Sequence, residues 1–292
     1  MQASLPLNYD NYIFDLYGTL VDIHTDESLP VLWEKMSIFY GYYGAGYLPE
    51  ELQSGWDLLS ERYREEAAKN SEAALPFSPA ASRTVQNYEV SPEIDITRVI
   101  RTLYKKKGVD AGEELVVHTG QFFRVLSTEY IRLYEGTAQM LDALRLAGKK
   151  VWLLSNAQRI FTQYELRLLD IDRRFDGILI SSDYGTGKPD ARFFDQLVLQ
   201  YGIDFNRSLF IGNDAVNDIG GAQNVGMDSF YVHSNLSFVQ PKWVPETISG
   251  DRSGTRRLRF NLSGTDNYTV MDFTGWSLSD GFDYFVDSRR IT

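Results

Sequence analysis

Apolar positions recur along this chain in two rhythms, and the change between them divides it. Tyr12-Ile13-Phe14 is a short aromatic and β-branched run ending at Asp15-Leu16-Tyr17-Gly18-Thr19-Leu20, which reads as a buried strand stopping at a loop. Residues 28–134 then follow helical spacing. Leu32, Trp33, Met36, Phe39 and Tyr40 form one such set, and Leu52, Trp56, Leu58, Leu59 and Tyr63 another. Within 96–107, Val99, Ile100, Leu103 and Tyr104 share a face, and 116–133 repeats the pattern. Residues 70–82 are rich in Ala, Ser and Pro and read as a loop. Alternation of the strand kind is almost missing here, so an all-helical insertion is expected.

From about residue 136 the rhythm becomes helix, strand, helix, strand. Helices are expected over 138–147 (ended by Gly148), 160–169, 192–201 (closed by Gly202) and 218–225. Strands are expected over 150–154, 177–181, 208–211 and 229–232. Strands alternating with single helices predict a parallel α/β sheet with helices on both faces. Ligands in such sheets sit beyond the C-terminal strand ends. The tail differs. Residues 240–267 are rich in Gly, Ser, Arg and Pro around Arg257-Leu258-Arg259-Phe260-Asn261-Leu262, which alternates like one arm of a hairpin. Residues 268–273 look like another strand, and 277–292 show no clear period. The expected division is a core of residues 1–25 and 136–292, with 240–267 inserted in it, and a helical domain at 26–135.

Composition narrows the class. The chain has 292 residues with 43% hydrophobic, 14% aromatic and 24% charged, enough apolar mass for packed cores. A net charge of −11 argues against nucleic acid as the main partner, because phosphate backbones are held by Lys and Arg. It leaves room for a small phosphorylated substrate, whose charge one Lys and a divalent cation balance locally. The absence of cysteine excludes disulfides, thiolate nucleophiles and Cys zinc sites, and fits a cytoplasmic setting. Residues 1–8 lack the pattern of a secretory signal, and no run is long and apolar enough to span a membrane. Composition does not address oligomeric state.

Four polar segments fall at the expected strand ends. Asp15, followed by the Gly18 turn, is a carboxylate presented to a cleft and suited to attack an electrophile. Ser155-Asn156 offers a hydroxyl and N–H groups for a phosphoryl oxygen, though either residue equally suits a helix N-cap. Gly187-Lys188-Pro189 places a cation after a glycine-rich turn. It is not a Walker loop, because position 182 is Ser and Pro189 replaces Ser or Thr. Gly212-Asn213-Asp214-Ala215-Val216-Asn217-Asp218 clusters oxygen donors of the kind Mg²⁺ takes, and Asp218 also suits capping of the next helix.

In combination and in this order the four segments resemble the haloacid dehalogenase superfamily, over residues 12–26 and 136–235. The resemblance implies a Rossmann-like doubly wound core with a cap inserted after the first motif. It implies Asp15 as nucleophile, Ser155 binding the transferred group and Lys188 holding both charges. Gly18, Thr19 and Asn156 would join Ser155 and Lys188 around the substrate. Asp214 and Asp218, with Asn213, would hold Mg²⁺ together with Asp15 and the backbone carbonyl of Tyr17. The expected reaction is phosphatase action on a small phosphorylated metabolite through an aspartyl-phosphate.

Two departures bear on this. Most phosphatases of the superfamily carry a second Asp two residues after the nucleophile, to protonate the leaving oxygen. This chain has Tyr17 there, which leaves Tyr17 or water to supply general acid–base help worth about 10²–10⁴-fold. Members with the Asp-x-Tyr-Gly-Thr form include 2-haloacid dehalogenases, whose halide needs no proton. Metal-independent dehalogenation is therefore the rival reading, and Arg124 is the nearest candidate for receiving halide. A catalytically degenerate binding protein is the third. The second departure is Asn213 where Asp is usual, which leaves Asn213 and Asp214 as alternative metal ligands.

Overall fold

The computed structural model describes residues 7–73 and 90–237, with strand segments at 2–3, 244–248, 257–261 and 275–276. Chain order runs β1 (Asn11–Phe14), β2 (Val21–Thr25), α1 (Pro30–Tyr42), α2 (Pro49–Ala73), α3 (Ile96–Lys106) and α4 (Glu113–Ser127). It continues with β3 (Thr128–Leu133), α5 (Thr137–Leu146), β4 (Lys150–Ser155), α6 (Arg159–Leu168), β5 (Gly177–Ile180) and α7 (Ala191–Tyr201). Then come β6 (Ser208–Gly212), a π-helical turn (Ala215–Gly220), α8 (Gly221–Asn224) and β7 (Asp228–Tyr231).

The five core strands lie in the order β5-β4-β1-β6-β7, every pair parallel. Their side chains alternate between two clusters, as a pleated strand requires. Tyr12, Phe14, Val151, Leu153, Leu209 and Ile211 pack with Met140, Leu141 and Leu144 of α5 and Leu166 of α6. Ile13, Trp152, Leu154 and Phe210 pack instead with Phe193, Phe194 and Leu197 of α7 and Ala222 of α8. Both faces are thus covered, which is why these strands are apolar throughout. The order runs outward from β1 on one side and then on the other, so the crevice lies at the C-terminal end of β1. Asp15 is the next residue.

The helices between β2 and β3 bury a separate apolar cluster, including Leu32, Trp33, Met36, Tyr40, Trp56, Val99, Leu103 and Phe123. Phe123 stacks on Trp56 at 4.5 Å between centroids and lies 6.2 Å from Phe161 of α6, so this core runs on to the sheet layer. Gly120 of α4 allows the approach, since a Cβ there would sit 2.5 Å from Ile160. Among the described residues no helix is long and apolar enough to cross a membrane.

Several expectations change. Residues 116–133 do not form one helix: α4 ends at Ser127 and β3 pairs antiparallel with β2, Val21 opposite Leu133. The stretch 28–134 is therefore not wholly helical. Thr128, Tyr130 and Ile131 favour a strand once β2 offers a partner, and Arg132 adds an ion pair to the buried Asp22 at 2.7 Å. Residues 70–73 are helical, and the rest of the expected 70–82 loop lies outside the described residues. The helix expected over 218–225 starts earlier, as the π-helical turn. In the tail, 244–248 and 257–261 pair antiparallel, Val244 opposite Asn261, as the hairpin reading expected. The expected strand at 268–273 and the segment 277–292 lie outside the described residues.

Phe123→Ala is expected to lower the unfolding free energy by about 3–5 kcal/mol, read by urea titration. A loss below about 1 kcal/mol would show that the aromatic cluster closes over the gap.

Candidate active site

β1 hands the chain to Asp15, whose N–H extends the sheet by bonding the Ile211 carbonyl at 2.9 Å. The loop then turns sharply, with the Gly18 N–H on the Val21 carbonyl at 2.8 Å. Gly18 has φ +86°, and a Cβ there would lie 2.1 Å from the Asn213 amide nitrogen. Backbone conformation and close approach both demand glycine. β6 ends at Gly212, where a Cβ would stand 2.3 Å from Asp218. This closeness lets the Asp218 carboxylate fold back under the strand end.

Lys188 joins the two loops. Its ammonium donates to Asp15 Oδ1 at 2.7 Å and to Asp218 Oδ1 at 2.6 Å. All three groups are buried; Lys188 is 2% exposed. Burial alone would lower the Lys188 pKa, but the two carboxylates more than offset this and hold it above its ordinary range. Burial and the neighbouring Asp15 push Asp218 up to about 7 against the pull of Lys188. Two carboxylates share one ammonium, so the cluster carries an excess of negative charge when both are ionised.

The expected residues fall into two groups. Asp15, Lys188 and Asp218 meet directly. Asn213 joins them at the nucleophile loop, its side chain against Gly18 and its oxygen accepting from the Thr19 hydroxyl at 3.2 Å. Ser155 closes β4 beside β1. Its hydroxyl is fully buried and has no hydrogen-bond partner among the described residues. Asp214 and Asn156 have other work. Asp214 accepts from the N–H groups of Val216 and Asn217, both at 2.9 Å, and from the Asn217 amide at 2.7 Å, capping the π-helical turn. Asn156 spends both ends of its amide on the Lys188 backbone, accepting from its N–H at 2.7 Å and donating to its carbonyl at 2.8 Å. Gly187 makes room, since a Cβ there would be 2.7 Å from the Asn156 oxygen. Of the alternatives Asn213 and Asp214, the geometry thus brings Asn213 to the loop that follows Asp15.

The donors gathered at Asp15 that suit a divalent cation are oxygens: the Asp15 and Asp218 carboxylates and, on the adjoining loop, the Asn213 amide. Among the described residues no group of three or more Asp, Glu, His or Cys side chains gathers as a cage. Mg²⁺ takes one or two carboxylates and completes its shell with water and substrate oxygens. The donor set fits such an ion.

Tyr17 enters a network that its sequence does not signal. Its hydroxyl donates to Glu165 of α6 and lies 3.0 Å from the Thr162 hydroxyl. Arg124 of α4 donates to the other Glu165 oxygen at 2.5 Å. Arg124 is therefore a half-buried ion-pair partner, not a solvated helix residue. Burial raises the Tyr17 phenol far above its ordinary value, and the Glu165 carboxylate adds to this. Its proton stays on the oxygen, committed to Glu165. Thr162 and Glu165 stand three apart on α6 and Arg124 lies far off in the chain, so no spacing rule connects them.

A parallel sheet thus carries a lysine-bridged carboxylate pair at its switch point. The family model of the haloacid dehalogenase-like hydrolases matches residues 9–226, and the chain belongs to that family. It is 32% identical over 107 residues to glyceraldehyde 3-phosphate phosphatase of Methanothermobacter thermautotrophicus, covering 37% of this chain and 47% of that protein. It is 23% identical over 233 residues to (S)-2-haloacid dehalogenase 4A of Burkholderia cepacia, covering 76% and 81%. Among solved structures, 2-haloacid dehalogenase from Pseudomonas syringae aligns with a TM-score of 0.47 and 21% identity, over 76% of this chain and 86% of that one. The match spans about half the length of the curated phosphatase.

Two predictions follow from the electrostatics. Asp218 loses its proton at the ordinary 3.8 when unfolded but near 7 when folded. Its stabilising contribution is present below 3.8 and is lost as pH rises to about 7. Asp218→Asn should flatten that part of the pH–stability curve, read by denaturant titration across pH; an unchanged slope contradicts this. Separately, Tyr17→Phe should cost about 1–3 kcal/mol by leaving Glu165 short of a donor. The cost should shrink when Glu165 is already Gln, and equal costs in both backgrounds would disprove the coupling.

Proposed function

We propose that the protein is a Mg²⁺-dependent phosphatase acting on a small phosphorylated metabolite through an aspartyl-phosphate at Asp15. The observation that carries this reading is the buried Asp15–Lys188–Asp218 cluster beside the orphaned Ser155 hydroxyl. A buried hydroxyl without a partner is costly. A phosphoryl oxygen supplies the missing partner. The names of the matched phosphatases, glyceraldehyde 3-phosphate phosphatase and phosphoserine phosphatase of Thermus thermophilus, point the same way.

Lys188 holds the Asp15 carboxylate in place and lowers the repulsion between the nucleophile and an incoming phosphate. A carboxylate oxygen of Asp15 attacks phosphorus while the P–O bond to the leaving alkoxide breaks. Water then attacks the acyl phosphate, releasing inorganic phosphate and restoring the Asp15 carboxylate. Asp15, Asn213, Asp218 and the Tyr17 carbonyl would hold Mg²⁺, which when bound neutralises charge on the transferring group. The Tyr17 proton is held by Glu165, so the leaving oxygen draws its proton from water. The helices of residues 26–135 serve as the cap that selects the substrate. The acidic surface disfavours nucleic acid, and the lack of cysteine suits the cytoplasm.

Dehalogenation is the second reading. It is favoured by Tyr17, because halide leaves without a proton, and by the longer match to the Burkholderia haloacid dehalogenase. The test is turnover of p-nitrophenyl phosphate with and without Mg²⁺, alongside chloride release from 2-chloropropionate. Metal-dependent phosphate release that Asp15→Asn abolishes is expected, with alkyl phosphates at least about 10²-fold slower than aryl ones for want of a general acid. Metal-independent chloride release without phosphatase activity would overturn the phosphatase reading.

A further inference from the structure

The segment that leads from the helical insertion into α3 lies across the loops that hold Lys188. The Ser91 carbonyl accepts from the Gly187 N–H at 2.9 Å and from the Thr186 hydroxyl at 3.3 Å. The Glu93 N–H donates to the Gly185 carbonyl at 3.1 Å, and Pro92 bridges Thr186 in antiparallel fashion. The strap thus forms a short ladder on the chain immediately before Lys188.

The Glu93 side chain extends this to the neighbouring loops. Its Oε2 accepts from the Ser181 hydroxyl at the end of β5, at 3.0 Å. Its Oε1 accepts from the Gln158 amide at 3.2 Å and from the Ile94 N–H at 2.9 Å. Ser181 in turn accepts from the Ala157 N–H at 2.8 Å. Gln158 also donates to the Ile94 carbonyl at 2.7 Å and accepts from the Ile96 N–H at 2.8 Å. Ala157 and Gln158 directly follow Asn156, whose amide clamps both backbone groups of Lys188. One carboxylate therefore ties three loops together, and the loop that carries Lys188 is gripped from both sides.

We propose that Glu93 is a positioning residue that, through the strap and the 156–158 loop, holds the Lys188 ammonium on Asp15. It touches neither substrate nor the reacting atoms. The proposal rests on the reading of Asp15 as nucleophile for its kinetic consequence, but its structural consequence stands by itself. A catalytic pair needs placement to within a fraction of an ångström, and a displacement near 1 Å costs up to about 10²-fold in rate. By this geometry a segment of the insertion braces the loop that carries Lys188.

Two readouts test this on the full chain. The first is acetic anhydride labelling of lysines, quantified by mass spectrometry. Lys188 is buried and protected, whereas Lys35 and Lys106 are exposed references. Glu93→Ala should speed labelling of Lys188 at least about tenfold by local opening, with the references unchanged. Gln158→Ala, which removes one partner and spares the carboxylate, should do the same more weakly and serves if Glu93→Ala fails to fold. Unchanged protection of Lys188 in folded variants would overturn the proposal. The second is kinetic, with p-nitrophenyl phosphate. Glu93→Ala should lower kcat about 10–100-fold with KM within about threefold. Added to Lys188→Ala it should cause no further loss, because both act at one point. Losses that multiply would show that Glu93 acts elsewhere. If the wild type turns over no phosphate ester, the proposed function falls while the labelling still decides the role of Glu93.

Discussion

A buried ammonium between two buried carboxylates is the constraint from which the rest of this structure follows. Lys188 reaches Asp15 and Asp218 at 2.7 and 2.6 Å, out of contact with bulk water. Stripping water from such charges is expensive, and removing one partner of a buried pair typically costs about 3–5 kcal/mol. The cluster persists because the surrounding backbone is shaped for it. Gly18, Gly187 and Gly212 each stand where a Cβ would strike Asn213, Asn156 or Asp218. Three strand ends are thereby brought close enough for one lysine to span them.

The fold supplies the place and the helical layer supplies much of the rigidity. A parallel sheet that reverses direction at β1 leaves a crevice at that strand's end. The insertion between β2 and β3 reaches the crevice twice. Arg124 arrives through Glu165 at Tyr17, on the nucleophile side. The strap at Ser91–Glu93 arrives at Gly185 and Gly187, on the lysine side. The loops of Tyr17 and Lys188 are thus each held by the insertion, the first through Glu165 and the second directly. Tyr17, standing where an acid would help, is bound into the first of these contacts and keeps its proton there.

The core was legible in the order of apolar runs. β1, β4, β5, β6 and β7 appear as short segments rich in apolar residues, β4 closed by Ser155-Asn156 and β6 by Gly212, and the helices between them carry their own stop signals, such as Gly202 with φ +67°. That Asp15 and Lys188 stand at strand ends beside glycine turns was legible in the sequence, and the structure brings the two together. β3 was not legible, because α4 runs into it without a break and only the pairing with β2 makes a strand there. The division of labour between Asn213 and Asp214 was equally hidden. Neighbouring polar residues look alike in sequence until a helix start takes one of them as its cap.

The amino-acid sequence by itself determined the parallel sheet, the strand-end positions of Asp15 and Lys188, and the absence of thiol chemistry. These depend on local spacing and residue type, which survive without knowledge of distant neighbours. The tertiary structure decided which carboxylates share one ammonium, that Tyr17 is spent on Glu165, and that the Glu93 strap lies on the lysine loop. Those contacts join residues far apart in the chain, and no periodicity encodes them. Their strength comes from burial, which exists only once the chain has folded.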